Sequence, residues 1–283
     1  MTQIPSFIFP EELHNNYIKL KPTMLGGQVI CLIGASSGIG AAIAEGLFRS
    51  GANVCIGARR LNKLEEVAQR CKEKYPDSQG NILPVECDVT SRESVQKLCD
   101  AACEHYACAS VDAMICCAGV MYFTKMKNAM MDQWDQTIDV NCRGATNCMG
   151  AVIPKMVEAK KGKIISITSD AGVRDFPNLA VYCASKRFVE TLTEITRREL
   201  VGTGVTLHTI QPGDVKGTEL ILKNTDTEAA DTMGVSIGKP VGEGFAREQL
   251  LDPVDVANAV ITVLTAPPHV AINSILIESR DQE

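Results

Sequence analysis

No stretch of the sequence approaches the length of a transmembrane helix, so a protein that spans a bilayer by helices is not expected. The N-terminus also lacks the layout of a signal peptide. Phe7-Ile8-Phe9 is too short an apolar core, Pro10 stops it, and Glu11 and Glu12 follow. There is no basic excess: 28 Lys and Arg stand against 34 Asp and Glu, a formal charge of -6. An acidic surface offers no counter-charge to nucleic acid or to an anionic membrane, which leaves small molecules as the expected partners and the cytoplasm as the expected location. Internal repeats and low-complexity linkers are missing too, which points to one domain.

Cysteine, by contrast, is plentiful, with 12 residues in a chain of 283. They fall inside apolar runs such as Val29-Ile30-Cys31-Leu32-Ile33 and Met114-Ile115-Cys116-Cys117-Ala118 and read as small, reduced core hydrophobes. A chain of this length buries an ample core without cross-links. Cys99, Cys103, His105 and Cys108 are the one cluster with a zinc-like composition, but they spread around a single predicted helix and do not close a tetrahedron from paired loops, so no metal is expected.

From Gln28 onward, short apolar runs alternate with segments of helical periodicity. Strands are predicted at Val29 to Ile33, Asn53 to Gly57, Ile82 to Glu86, Val111 to Cys116, Lys163 to Thr168, Val205 to Ile210 and Ser274 to Ile277. Helices are predicted at Ile39 to Ser50, Leu61 to Lys74, Arg92 to His105, Asp132 to Lys160, Val181 to Leu200 and Pro253 to Leu264, the last opened by Asp252 as N-cap. This order implies an α/β, Rossmann-type doubly wound sheet of seven parallel strands with helices on both faces. Residues 1–27 form an extension, either a surface arm or an oligomer contact. Residues 28–283 form the domain, and between about 214 and 251 the alternation gives way to a long loop of the kind that often covers a site.

Ligands of such a sheet bind at the carboxyl ends of its strands, and the candidate residues cluster there. The first strand runs into Gly34-Ala35-Ser36-Ser37-Gly38-Ile39-Gly40, which opens a helix. Its glycines permit a tight turn close to a phosphate, and the free N–H groups of the helix start favour negative charge. Tyr182 and Lys186, four apart, project from one helix face, where an ammonium would lower the pKa of the phenol. Ala58 stands where NAD-specific proteins carry an acid for the ribose 2′-hydroxyl, and Arg59 and Arg60 follow with guanidinium donors suited to a 2′-phosphate. NADP(H) is the expected cofactor.

Taken in order, Gly34 to Gly40, Cys116-Cys117-Ala118-Gly119, Asn141, Ser169, Tyr182 to Lys186 and Pro212-Gly213 resemble the short-chain dehydrogenase/reductase family. The resemblance implies that Tyr182 passes a proton to or from the substrate oxygen and that Ser169 hydrogen-bonds that oxygen. Lys186 would bind the nicotinamide ribose, and Asn141 would hold a helix distortion and a water. It adds Asp88 and Val89 as adenine contacts, Cys117, Ala118 and Gly119 as cofactor floor, and Pro212, Gly213, Val215 and Thr218 as the segment that holds the carboxamide. Ile33, Cys116 and Cys117 depart from the family's polar residues at that floor.

The segment Gln211 to Leu220 and the tail Pro268 to Ile275 are similar to the NADP-dependent 3-hydroxy acid (serine) dehydrogenases and the insect farnesol dehydrogenases. This implies a homotetramer or homodimer and a small alcohol or carbonyl substrate, polar acid or terpenoid. Arg174 and Asp175 face either that pocket or solvent. A catalytically silent dinucleotide-binding sensor or scaffold is the alternative function.

Overall fold

The computed structural model describes residues 24–243 and 249–280, so the extension expected over 1–27 lies outside the described residues up to residue 23. Seven strands, β1 (Val29–Ile33), β2 (Asn53–Ala58), β3 (Asn81–Glu86), β4 (Ala113–Cys116), β5 (Gly162–Ile167), β6 (Val205–Pro212) and β7 (Ser274–Ile277), form one sheet in the order β3-β2-β1-β4-β5-β6-β7. Every pairing is parallel. β3 contains Pro84, which cannot donate to a ladder and is tolerated because this strand is the sheet edge.

Both faces of the sheet are covered, and β1 shows why its sequence is apolar throughout. Ile30 and Leu32 enter the core beneath helices α1 (Gly38–Arg49), α2 (Leu61–Lys74) and α8 (Pro253–Thr265), while Val29, Cys31 and Ile33 enter the opposite core. On that second face lie α3 (Arg92–His105), α5 (Gly144–Glu158) and α6 (Ala180–Glu199). α8 starts with a capping box in which Asp252 caps the helix and Asp255 reaches back to the Asp252 N–H at 2.8 Å. The 12 cysteines are free; Cys99, Cys103 and Cys108 lie on or just beyond α3, and the Cys108 N–H donates to the Cys103 carbonyl. No helix among the described residues is long and apolar enough to cross a membrane.

Two expectations need correction. The single helix predicted from Asp132 to Lys160 is α4 (Met131–Thr137), a wide π-helical turn over Ile138–Arg143, and then α5. A π turn admits one extra residue, which shifts every later side chain around the axis and leaves no mark on apolar periodicity. The loop expected over 214–251 contains a short helix, α7 (Thr227–Met233), capped by the Asp226 carboxylate and ended by Gly234 at φ 66°.

Candidate active site

The strand order reverses between β1 and β4, and the turns leaving these two strands meet there. Cys117 donates its N–H to the Ile33 carbonyl at 2.9 Å, so the backbone makes the tie for which the apolar Ile33 and Cys117 side chains offer no polar group. Gly34 has φ +99°, and a Cβ on it would lie 2.5 Å from the Ala118 nitrogen. A Cβ on Gly40 would lie 2.1 Å from the Gly34 carbonyl oxygen. Only glycine permits this approach of turn, helix and neighbouring strand.

Ser37 precedes α1 but gives it no side-chain cap, so the N–H groups of the first turn around Gly38, Ile39 and Gly40 keep no intrahelical partner. An uncapped helix start of this kind is an anion-binding end, which fits a dinucleotide pyrophosphate. The segment after β6 closes over the same turn. Gly213 donates to the Ile277 carbonyl at 2.9 Å, Val215 bridges to Leu251, and the Thr218 hydroxyl donates to the Val215 carbonyl at 3.2 Å. The Thr218 methyl carbon would be 3.4 Å from a Cβ on Gly38. Pro212 ends β6 beside these residues.

The two arginines after β2 part company. The Arg60 guanidinium donates to the hydroxyls of Ser36 and Ser37 at 2.8 and 3.2 Å and pairs with Glu219 at 2.8 Å. Arg59 instead borders a cleft whose other wall carries Asp88, Asp132, Asp135 and Asp139. Asp88 folds its carboxylate onto the Thr90 N–H and hydroxyl at 3.0 and 2.8 Å. The Val89 carbonyl accepts from Asn147 at 2.9 Å, and the Val89 side chain packs against Gly144.

Deeper in the cleft, Asn141 sits inside the π turn and is buried. Its carboxamide clamps Val120, accepting from the N–H and donating to the carbonyl, both at 2.9 Å, and donates to the Ser185 hydroxyl at 3.0 Å. The turn after β4 is thereby fixed to α6. A Cβ on Gly119 would meet the Asn141 oxygen at 3.5 Å and the Lys186 nitrogen at 3.6 Å, so the turn after β4 lies close against both side chains at Gly119.

Ser169, Tyr182 and Lys186 are all buried. Ser169 donates to the Asp170 carboxylate at 2.8 Å, and Lys186 donates to the Ile167 carbonyl at the end of β5 at 3.2 Å. The Lys186 ammonium lies 5.6 Å from the centre of the Tyr182 ring. The expected lowering of the phenol is not what the site shows. Burial pushes the Tyr182 phenol well above its usual range; the Ser169 hydroxyl beside it opposes this, and the carboxylates of Asp170 and Asp214 add to it. Burial also brings the Lys186 ammonium down to about 8, against the pull of Cys117 and Glu190.

Arg174 and Asp175 are drawn into ion pairs, Arg174 with Glu278 at 2.7 Å and Asp175 with Arg187 at 2.9 Å. Residues that sequence reasoning passed over hold the far wall. Asn224 accepts from the Phe123 N–H at 2.7 Å and donates to the Met121 carbonyl at 3.1 Å, and Asp226 accepts from the Lys125 N–H at 2.9 Å. They anchor the 214–251 segment to the loop after β4. Lone polar residues in an irregular segment give no periodic signal, and only Asp226, as an N-cap before α7, was open to being read.

The model of the short chain dehydrogenase family matches residues 28–229. Glycine betaine reductase ATRR of Emericella nidulans is 45% identical over 258 residues, 91% of this chain, although the chain spans only 19% of that protein's length. An uncharacterized oxidoreductase of Listeria monocytogenes is 35% identical over 257 residues, covering 90% of this chain and 97% of its own. Among solved structures, the closed form of a serine dehydrogenase complexed with NADP+ superposes with a TM-score of 0.77 at 27% identity, over 90% of this chain and 96% of that one. Serine dehydrogenase from Escherichia coli gives 0.72 at 26% identity, over 90% and 98%. With the sheet order, the glycine turn and the buried Ser169, Tyr182 and Lys186 in one crevice, these likenesses establish that the chain belongs to the short-chain dehydrogenase family and is an oxidoreductase.

Proposed function

We propose that the chain interconverts a carbonyl compound and the corresponding alcohol with NADP(H), and that Tyr182 is the acid/base. The observation that carries this reading is the buried trio itself: a phenol held protonated by burial, with the Ser169 hydroxyl beside it and the Lys186 ammonium over its ring. In the reducing direction a protonated Tyr182 is poised to donate to a carbonyl oxygen, and Ser169, once its hydroxyl turns from Asp170, supplies a second donor to the same oxygen. The positive charge of Lys186 then favours the phenolate left behind. Asn141, clamped to Val120 and Ser185, keeps the floor and α6 in register so that these distances persist.

NADPH, when bound, supplies the hydride. The first turn of α1 with Gly34, Ser37, Gly38, Ile39 and Gly40 would hold its pyrophosphate, and Ser36, Arg59 and Arg60 its 2′-phosphate. Asp88 and Val89 would flank the adenine, with Cys117, Ala118 and Gly119 below the ring system. Lys186 would take the ribose, and Pro212, Gly213, Val215 and Thr218 the carboxamide. Free cysteines throughout, several of them buried in the core, speak for a reducing compartment such as the cytoplasm. The apolar faces of α6 and β7 speak for a homo-oligomer, dimer or tetramer.

The test is turnover of NADPH with a panel of carbonyl compounds. Betaine aldehyde belongs in it because a similar protein is a glycine betaine reductase, and serine, an alcohol, is tested in the oxidising direction with NADP+ because another is a serine dehydrogenase. Tyr182→Phe is expected to lower kcat by 10²-fold or more while cofactor binding stays near that of the parent. Retention of more than a few per cent of kcat overturns the assignment.

A further inference from the structure

Glu219 lies just beyond Thr218, outside the residues assigned to the carboxamide, and its carboxylate reaches back across the cleft to the opposite end of the dinucleotide site. One carboxylate oxygen lies 2.8 Å from the Arg60 guanidinium and accepts from the Ser37 hydroxyl at 3.2 Å. The same guanidinium nitrogen donates to Ser36 and Ser37. Arg60, and to a smaller degree Ser37 and Lys63, hold the Glu219 carboxyl below the usual range against the desolvation that opposes them, so it is ionised at neutral pH.

These donors are the ones that a 2′-phosphate would need. A guanidinium nitrogen and a pair of hydroxyls form a niche for an anion, and the chain fills it with an anion of its own. We infer that Glu219 stands in for the cofactor's 2′-phosphate and competes with it for Arg60 and Ser37, so that this residue sets how strongly NADP(H) is preferred over NAD(H). The inference rests on the reading of Arg60 and Ser36 as 2′-phosphate ligands.

The size of the effect follows from exposure. The Arg60 and Glu219 side chains are 46% and 45% exposed, and pairs so open to water are weak, so the competitor is displaced at a modest loss. An unopposed Arg60–phosphate contact would therefore tighten binding by a factor of about three to five. NAD(H) presents a hydroxyl at this place, does not claim the guanidinium, and leaves the ion pair standing. When NADP(H) enters, the ion pair opens and the 214–251 segment loses one of its ties to the glycine turn.

Calorimetry with 2′,5′-ADP and 5′-AMP isolates the niche, since neither probe reaches the nicotinamide end. Glu219→Gln is expected to tighten 2′,5′-ADP about three- to fivefold and to leave 5′-AMP unchanged. Arg60→Met should weaken 2′,5′-ADP by more than tenfold and make Glu219→Gln silent in the double variant. If the parent prefers 2′,5′-ADP over 5′-AMP but Glu219→Gln binds it equally or more weakly, the competitor role is overturned and the NADP reading stands. If the parent binds both probes equally, the NADP reading falls and the inference with it. Thermal melts of each variant confirm that the fold is retained, which is expected for an exposed pair.

Discussion

Lys186 holds its ammonium 5.6 Å from the centre of the Tyr182 ring, and burial acts on the two groups in opposite directions, raising the phenol and lowering the ammonium to about 8. Both changes favour the neutral pair. The site is thus set to donate a proton from Tyr182, and it carries Lys186 as a charge that the fold tolerates poorly.

That tolerance is measurable. The Lys186 pKa falls from 10.5 to about 8, so the folded state binds fewer protons than the unfolded state between these values. Stability therefore rises with pH across this window, and the full penalty applies below about pH 8. Lys186→Met should abolish turnover yet raise stability at pH 7 by about 1–3 kcal/mol, the upper figure reduced by the orphaned Ile167 carbonyl. The gain should shrink toward pH 10. Urea unfolding at both pH values checks this, and a variant less stable than the parent at pH 7 would show that the lysine is not penalised by burial.

Gly34→Ala separates backbone strain from close approach. Gly34 and Gly27 both have positive φ, +99° and +77°, but a Cβ on Gly27 meets nothing within 4 Å whereas one on Gly34 meets Ala118 at 2.5 Å. Each alanine is expected to lose about 1 kcal/mol to its φ. Gly34→Ala should lose a further 1–3 kcal/mol by forcing the β1 and β4 turns apart, and should weaken NADPH binding at least tenfold. Equal melting temperatures for the two variants would contradict the contact.

The sequence made most of this geometry legible because the elements under the site carry strong local signals. β1, α2, α3 and β7 fall on the residues predicted for them, each being an apolar run or a 3.6-residue periodicity with clear ends. The π turn around Asn141 was legible through family resemblance alone, because its extra residue disturbs no pattern. The separation of Arg59 from Arg60 was hidden as well. Adjacent arginines look alike in a sequence, and what sorts them is an acidic wall from α4 and the π turn on one side and Glu219 on the other. The expected lowering of Tyr182 failed for a related reason, since desolvation depends on how deeply the phenol is buried and a four-residue spacing does not report that.

Asn224 offers a test of the far wall. Asn224→Ala removes the acceptor for the buried Phe123 N–H and a donor to the Met121 carbonyl. Leaving such groups unpaired should destabilise the protein by about 2–3 kcal/mol. Because Ile221 of this segment packs in one buried cluster with Phe123 and Tyr182, KM for the carbonyl compound should rise several-fold with a smaller change in kcat. Asn224→Asp keeps the acceptor for Phe123 but sets a carboxylate oxygen against the Met121 and Ile221 carbonyls in a buried place, so it should recover little of the stability. An Asn224→Ala variant with the parent's KM and unfolding midpoint would mean that the segment is held by its other contacts.

The exposed face of α6 carries the prediction about assembly. Phe188 and Ile195 are 43% and 46% exposed and stand seven residues apart, two turns of one helix, so they share a stripe that points away from the sheet. Ile138 in the π turn is 49% exposed. Single exposed hydrophobes are ordinary, but two in register on a 20-residue helix form a seam that a second copy of the same helix can cover about a two-fold axis. In such an isologous contact each side chain is used twice, so one substitution acts on both halves of the interface. Phe188→Glu places like charges across the axis and should convert the assembly to a smaller species at micromolar concentration. The fold of the protomer should persist, because the Phe188 side chain is not part of a buried core cluster. Light scattering distinguishes the outcomes. A parent protein that is already monomeric, or a Phe188→Glu variant with the parent's mass, would show that this stripe is not the interface.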